Sequence, residues 1–213
     1  MTGFALLDHT AVIVFAMTGA LVASRAQLDI IGFIFLGSLT AIGGGTIRDI
    51  LLNRDPVFWI DSPSYLGLAT LASVVVYFTA HLVDSRKTWI VWLDAVALAV
   101  AVTVGFGVTQ SMGHSGPIII VMSIITGTLG GLMRDVVANE VPLVLKQGEI
   151  YATACMSGAV AGLVVLFLDW PLYIAMVSTA VVTFILRAGS ITLGWKLPVY
   201  KSQPKRDSDH LLK

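Results

Sequence analysis

The amino-acid sequence predicts an all-α membrane protein with seven transmembrane helices, arranged as two inverted three-helix repeats plus a seventh helix. The chain has 213 residues, of which 56% are hydrophobic and only 12% are charged, about half the charged fraction of a soluble domain. Runs of about 20 apolar residues follow one another, and each is long enough to cross a hydrocarbon core. In addition, a polar motif inside one of these runs recurs 86 residues later.

The seven spans are separated by loops that carry charged, proline or glycine residues. We predict spans at about residues 4–23, 28–53, 65–83, 89–108, 117–139, 150–168 and 171–193. Residues 1–195 are therefore expected to form a single transmembrane domain. The remaining residues, 196–213, are polar and contain two prolines and several cations. We expect them to form a disordered cytoplasmic tail, loosely held at the anionic lipids of the inner leaflet.

The distribution of cations predicts the orientation in the membrane. With seven spans, the loops after spans one, three and five share a side with the C-terminus. Of the 13 Lys and Arg residues, all except Arg48 and Arg54 lie on that side. The positive-inside rule then places the N-terminus outside and the C-terminus in the cytoplasm.

An offset of 86 residues aligns two parts of the chain without a gap. It pairs Asp8 with Asp94, Gly19 with Gly105, Thr40 with Thr126, Gly44 with Gly130, Gly45 with Gly131, Arg48 with Arg134, Asp49 with Asp135, Asn53 with Asn139 and Pro56 with Pro142. Repeat one covers about residues 4–83 and repeat two about 89–168, while 171–193 lies outside both. Because each repeat has an odd number of spans, the second copy is inverted relative to the first.

Glycine clusters at matching places in spans two and five predict a break or a sharp bend in each helix. A run of glycines removes side-chain cover and raises the ordering cost of the backbone. The glycines concerned are Gly43, Gly44, Gly45, Gly127, Gly130 and Gly131. At a break, bared carbonyls can coordinate a cation and free amides can face an anion. The alternative is close packing of one helix against another.

Threonines near these glycines are the predicted pore-lining groups, namely Thr40, Thr46, Thr126 and Thr128. Thr40 and Thr126 lie one turn before the paired glycines. Their hydroxyls could act as weak ligands along a pathway, or could bond back to their own helix. Thr46 precedes Asp49 by three residues, which is the spacing of a capping box.

Ionisable residues at membrane depth are costly and indicate function by default. The predicted embedded charges are Arg48, Asp49, Arg134, Asp135, Asp8 and Asp94. The two aspartates at the matched positions 8 and 94 lie early in spans one and four. They would pair with the embedded arginines or line the mouths of a pathway, and a purely structural ion pair is the alternative.

Enzyme function finds no support in the sequence. We find no nucleophile elbow, Walker loop or dinucleotide fingerprint, and the four histidines have no spacing typical of a metal site. We therefore expect no catalytic residues, no metal and no cofactor. The balance of 13 basic and 13 acidic residues argues against nucleic acid as a partner.

In its glycine motifs, Gly43–Asp49 and Gly127–Asp135, the chain resembles the prokaryotic branch of the trimeric intracellular cation (TRIC) channel family. It is equally similar to related bacterial inner-membrane proteins that are described as glycine transporters. The resemblance implies a homotrimer in the plasma membrane of a bacterium or archaeon, with one pore per protomer that conducts K⁺ and Na⁺. The second motif departs from the first, because Leu129 stands at the position of Gly43 and the leading glycine is displaced to Gly127.

Two transport functions are compatible with these features. A monovalent-cation channel would pass ions beside the glycine motifs of spans two and five, with hydroxyls and free carbonyls as transient ligands. A secondary transporter for a small neutral amino acid such as glycine would bind the substrate carboxylate at the amide end of a half-helix. A structural membrane protein without a transported solute is a third hypothesis. We expect the channel.

Overall fold

The computed structural model describes residues 2–82 and 86–198, and its regular secondary structure there is helical. The helices are α1 (Thr2–Arg25), α2 (Ile30–Leu51), the short α3 (Phe58–Asp61), α4 (Ser64–Thr79), α5 (Arg86–Ser111), α6 (Gly116–Val137), α7 (Ala152–Phe167) and α8 (Leu172–Thr192). Within the described residues, six helices are long and apolar enough to cross a membrane. One of them is α4, which a 3-10 turn at Ala80–Leu82 extends to 19 residues, and α7 is shorter with 16 residues. The six long helices and the shorter α7 coincide with the seven predicted spans, so the predicted all-α membrane fold is confirmed.

The start of the predicted disordered tail is attached to the helical body. Trp195, the residue just before the predicted tail, packs against Gly189 of α8, and within the tail the amide of Leu197 donates to the carbonyl oxygen of Gly148 at 2.9 Å. The rest of the predicted tail, residues 199–213, lies outside the described residues.

The matched asparagines end two corresponding helices. Asn53 follows α2 and Asn139 follows α6, and both adopt a left-handed backbone conformation, with φ of 53° and 55°. In each case the next amide reaches back five residues, from Arg54 to the carbonyl of Asp49 and from Glu140 to that of Asp135, both at 2.8 Å. This is the Schellman arrangement, which asparagine tolerates better than most residues. The repeat in the sequence is therefore a repeat in backbone geometry.

Side-chain contacts with α1 show that α2 and α6 run in opposite directions. Near the start of α1, Asp8 lines the same cavity as Arg48 and Phe58, which lie at and after the end of α2. At the end of α1, Arg25 pairs with Glu140, just after α6, at 3.1 Å. The C-terminal ends of α2 and α6 are thus at opposite ends of α1. This is the arrangement that inverted repeats require.

The predicted helix breaks are not found, because α2 and α6 continue as α-helices through their glycine clusters. The structure uses these glycines for close packing instead. A Cβ atom at Gly44 would collide with the carbonyl oxygen of Thr126, and one at Gly130 would collide with that of Thr40. The two helices cross where neither has a side chain, so their backbones touch.

The other glycines of the clusters are also in packed positions, although their partners differ. A Cβ atom at each would meet the following side chains: Met133 at Gly43, Phe58 at Gly45, Val102 and Leu98 at Gly127, and Tyr151 at Gly131. Outside the clusters, the matched pair Gly19 and Gly105 shows the same symmetry. Added Cβ atoms there would meet the hydroxyls of Thr40 and Thr126, at 2.5 and 2.7 Å.

Replacing Gly44 or Gly130 by Ala should destabilise the protein by about 1–3 kcal/mol, because the new methyl group meets a backbone carbonyl that cannot move aside. Thermal unfolding of the purified protein in detergent would measure the loss. The matched control is Gly67→Ala in α4, where an added Cβ meets nothing within 4 Å. A Tm for Gly44→Ala equal to that of the wild type would contradict the packing role.

Candidate functional site

A buried arginine near the end of α6 joins three helices. The Nη1 of Arg134 donates to the carboxylate of Asp94 in α5 and to the hydroxyl of Thr18 in α1, both at 3.0 Å. Its Nε donates to its own neighbour Asp135 at 2.8 Å. Arg134 is fully buried, so each of these charge-assisted hydrogen bonds lies in a low dielectric, where it is strengthened.

Both carboxylates of this group receive a second donor. The Oδ2 of Asp94 accepts from the hydroxyl of Tyr151 at 2.8 Å, and the Oδ2 of Asp135 accepts from the amide of Leu143 at 2.9 Å. No oxygen of the two carboxylates is therefore left without a partner. We call Arg134, Asp135, Asp94, Thr18 and Tyr151 the Arg134 cluster.

The corresponding arginine at the end of α2 repeats part of this pattern. The Nε of Arg48 donates to Asp49 at 2.7 Å, and Asp49 accepts from the amide of Phe58 at 2.9 Å. Arg54 lies 3.6 Å from the same carboxylate, and the guanidinium of Arg48 lies over the Phe58 ring at 5.7 Å. The Arg-Asp pair and its backbone donor are thus common to both repeats.

The two arginines differ in their remaining partners. Arg134 has Asp94 and Thr18, whereas the residues at the matched positions for Arg48 are Asp8 and Val104. Val104 has no polar atom in its side chain, and Asp8 makes no ion pair within 4.0 Å with any described residue. The Nη2 of Arg48 is buried and lies 2.7 Å from the Asp49 oxygen that also accepts from Nε, and it has no other partner in the described part of the chain. The first repeat therefore holds its arginine less completely than the second.

A small cavity lies where α2 and α6 cross. We call it the central cavity, and its volume is about 20 Å³, enough for about one water molecule. Its lining comprises Asp8, Ala11, Val12, Phe15, Thr40, Ala41, Gly44, Gly45, Arg48, Phe58, Ala101, Val104 and Thr126. It brings together predicted site residues from both repeats.

A second, more polar cavity of about 110 Å³ lies towards the other end of α1, and we call it the vestibule. It is lined by Val22, Arg25, Lys87, Ile90, Val91, Arg134, Asp135, Glu140, Leu143 and Lys146. On α1, Thr18 lies between the residues that line the two cavities. On α5, Asp94 does the same. The Arg134 cluster therefore lies between the central cavity and the vestibule, and Arg134 and Asp135 form part of the vestibule wall.

All four predicted pore-lining threonines bond back to their own helices. Their hydroxyls donate to carbonyls four residues earlier, at 2.6 Å for Thr40 and Thr126, 2.7 Å for Thr46 and 2.8 Å for Thr128. The expected capping box at Thr46 is therefore wrong, since that hydroxyl lies inside a continuous helix and also accepts from Trp59. Only Thr40 and Thr126 line the central cavity, and Thr46 and Thr128 lie outside its lining.

Several residues of the site were missed by sequence reasoning. Tyr151 could have been found, because the same offset of 86 pairs it with Tyr65. Thr18 has no such signal, since its matched position holds Val104 and the pairing with Arg134 crosses from one repeat to the other. Among the described residues, no group of three or more His, Cys, Asp and Glu side chains is placed to hold a metal ion.

Replacing Arg134 by Ala should destabilise the protein by about 3–5 kcal/mol, because Asp94 and Asp135 would keep buried charges without a cation. Unfolding of the purified protein in detergent would measure this change. Arg25→Ala is the control, since the Arg25–Glu140 pair is about one-third exposed and such pairs contribute at most about 1 kcal/mol. Equal effects of the two substitutions would contradict the central role of Arg134.

Comparison with known proteins gives the family. A family model described as "Glycine transporter" matches residues 5–81 and again residues 91–169, once in each repeat. The inner membrane protein YadS of Escherichia coli K12 is 39% identical over 198 residues, which cover 91% of this chain and 94% of that protein.

Solved structures agree with this result. The TRIC trimeric intracellular cation channel orthologue from Rhodobacter sphaeroides is 39% identical and superposes with a TM-score of 0.88, covering 91% of this chain and 100% of that one. A prokaryotic TRIC channel solved in 0.5 M KCl is 31% identical, with a TM-score of 0.85 over 92% of this chain and 99% of that one. The chain therefore belongs to the family that this glycine-transporter model describes, and to the TRIC channel family that its glycine motifs resemble.

Proposed function

We propose that this protein is a cation channel that conducts K⁺ and Na⁺ through one pore in each protomer. The observation that carries the proposal is the central cavity, where Asp8, Thr40 and Thr126 line a space at the crossing of α2 and α6. Relatives of the same fold that are 31–39% identical are themselves TRIC channels, and one of them is named as a cation channel.

The polar groups of the central cavity suit a monovalent cation. Asp8 contributes a negative charge that no described cation neutralises within 4.0 Å, whereas the charge of Arg48 is neutralised by Asp49 at 2.7 Å. The hydroxyl oxygens of Thr40 and Thr126 keep lone pairs free after donating to their helices. Oxygen atoms of this kind replace part of the hydration shell of a permeating ion.

The pathway is closed in this conformation. The central cavity holds about one water molecule, and the Arg134 cluster closes its route to the vestibule. Conduction therefore requires the contacts of Arg134 with Asp94 or Thr18 to rearrange, so that the two cavities become continuous.

We further propose that the protein forms a homotrimer in the inner membrane, with the vestibule facing the cytoplasm. The relative from Rhodobacter sphaeroides is a trimeric channel, and YadS is an inner membrane protein. Many apolar side chains on the outside of α2, α4 and α8 are exposed in the single chain, as contact with lipid or with other protomers requires. The cations Arg25, Lys87 and Lys146 around the vestibule fit the positive-inside rule.

Purified protein in planar bilayers should give discrete unitary currents carried by K⁺. Asp8→Asn should reduce the K⁺ conductance several-fold at low ionic strength, because the carboxylate attracts cations into the cavity. The control is Asp61→Asn, which removes an exposed carboxylate of α3 outside the cavity lining. Saturable counterflow of labelled glycine in liposomes, without unitary currents, would instead establish the carrier that the family description names.

The proposed orientation predicts opposite labelling of two introduced cysteines. Asp61→Cys, between α2 and α4, should react with a membrane-impermeant thiol reagent only from outside. Gln147→Cys, between α6 and α7, should react only from the cytoplasm. The native Cys155 is buried, so the wild-type chain serves as the blank. Labelling of both positions from one side would contradict the inverted arrangement.

A further inference from the structure

We propose that α8, the helix outside the two repeats, holds the pathway closed through Arg187 and Tyr151. This inference rests on the proposed channel function, and it assigns α8 the role of positioning the Arg134 cluster. Arg187 is the single charged residue of α8, and it is 1% exposed. A buried cation in a membrane helix needs a reason, because its desolvation is costly.

Arg187 fixes the segment that leads into α7. Its Nη1 donates to Glu149 at 2.6 Å and approaches the carbonyl oxygen of Ile150 at 3.5 Å. Its guanidinium carbon lies 4.9 Å from the centre of the Tyr151 ring, which is the geometry of a cation–π contact. Three consecutive residues, Glu149 to Tyr151, are thus held by one side chain of α8.

Tyr151 transmits this constraint to the Arg134 cluster. Its hydroxyl donates to one oxygen of Asp94 at 2.8 Å, and the other oxygen of Asp94 accepts from Arg134 at 3.0 Å. With both oxygens engaged, the carboxylate has one orientation in which every partner is satisfied. Arg134 is then held between α1 and α5, where it separates the two cavities.

The first repeat provides an internal comparison, because it has a tyrosine at the matched position, Tyr65, but no helix that corresponds to α8. The ring of Tyr65 stacks with His9 at 4.2 Å and meets the edge of Phe58 at 4.9 Å. The position matched to Glu149 holds Pro63, which offers no carboxylate to an arginine. On that side Asp8 has no ion pair with a described residue.

The contacts of α8 explain why it acts on one repeat only. It packs against α7 and α5, both of which belong to the second repeat. Removing the hydroxyl of Tyr151 would leave one buried oxygen of Asp94 without its donor, and a lost hydrogen bond to a charged group shifts an equilibrium roughly tenfold or more. The closed arrangement should lose stability relative to an open one by that factor.

Single-channel recording tests this directly. Tyr151→Phe and Arg187→Gln should each raise the open probability roughly tenfold, while the unitary conductance stays unchanged. Arg187→Lys keeps the cation beside Glu149 and should restore an open probability close to that of the wild type, which a general packing defect would not. Tyr65→Phe is the matched control in the first repeat and should have no effect.

A second measurement does not depend on ion conduction. Ala101→Cys places a thiol in the central cavity, and Ag⁺ added from the vestibule side should reach it faster when Tyr151→Phe is also present. Thiols that remain free are counted after denaturation, and Tyr151→Phe without the added cysteine is the blank for Cys155.

The outcomes separate the two proposals. If the wild type conducts but Tyr151→Phe and Arg187→Gln leave both the open probability and the Ag⁺ reaction rate unchanged, the role of α8 is wrong and the channel stands. An effect of Tyr65→Phe equal to that of Tyr151→Phe would also overturn it. If the wild type carries no cation current, the channel is wrong, and faster Ag⁺ reaction in Tyr151→Phe would still support control of the cavity by α8.

Discussion

The structure depends on neutralising its buried charges with other protein groups, because the interior of a membrane contains no water that could solvate them. Arg134 meets this requirement with Asp94, Asp135 and Thr18, and these partners come from three different helices. An arginine that satisfies its donors in this way fixes the relative positions of α1, α5 and α6, because a shift of any one helix leaves a charge or a hydroxyl unpaired.

The two repeats share the parts that build the fold and differ in the partners of their arginines and tyrosines. Crossing glycines, the Arg-Asp pairs and the asparagine helix ends occur in both halves. The differences are the hydroxyl of Thr18 against the methyl groups of Val104, and the setting of Tyr151 against that of Tyr65. Because these differences involve few side chains, the two halves keep the same backbone geometry while their buried polar contacts differ.

Much of the fold could be predicted because apolar length and the offset of 86 residues are properties of the chain itself. The role of Gly44 and Gly130 could not, since glycine permits both a helix break and a close helix contact. The choice depends on what lies opposite, and here the carbonyls of Thr126 and Thr40 lie opposite. For the same reason, the sequence could not show whether a threonine hydroxyl lines a pathway or bonds back to its own helix.

Arg187 shows where sequence reasoning stopped. The sequence indicates only that Arg187 is one of the cations on the cytoplasmic side, and its helix lies outside both repeats. Its role depends on three contacts with residues 149–151. These residues lie just before α7 and are far from Arg187 in the chain. Two inverted repeats alone would form a bundle whose two ends have equivalent structures. The added helix packs against α5 and α7 of the second repeat, so the two ends of the bundle are not equivalent, and in our proposal the pathway is closed at one of them.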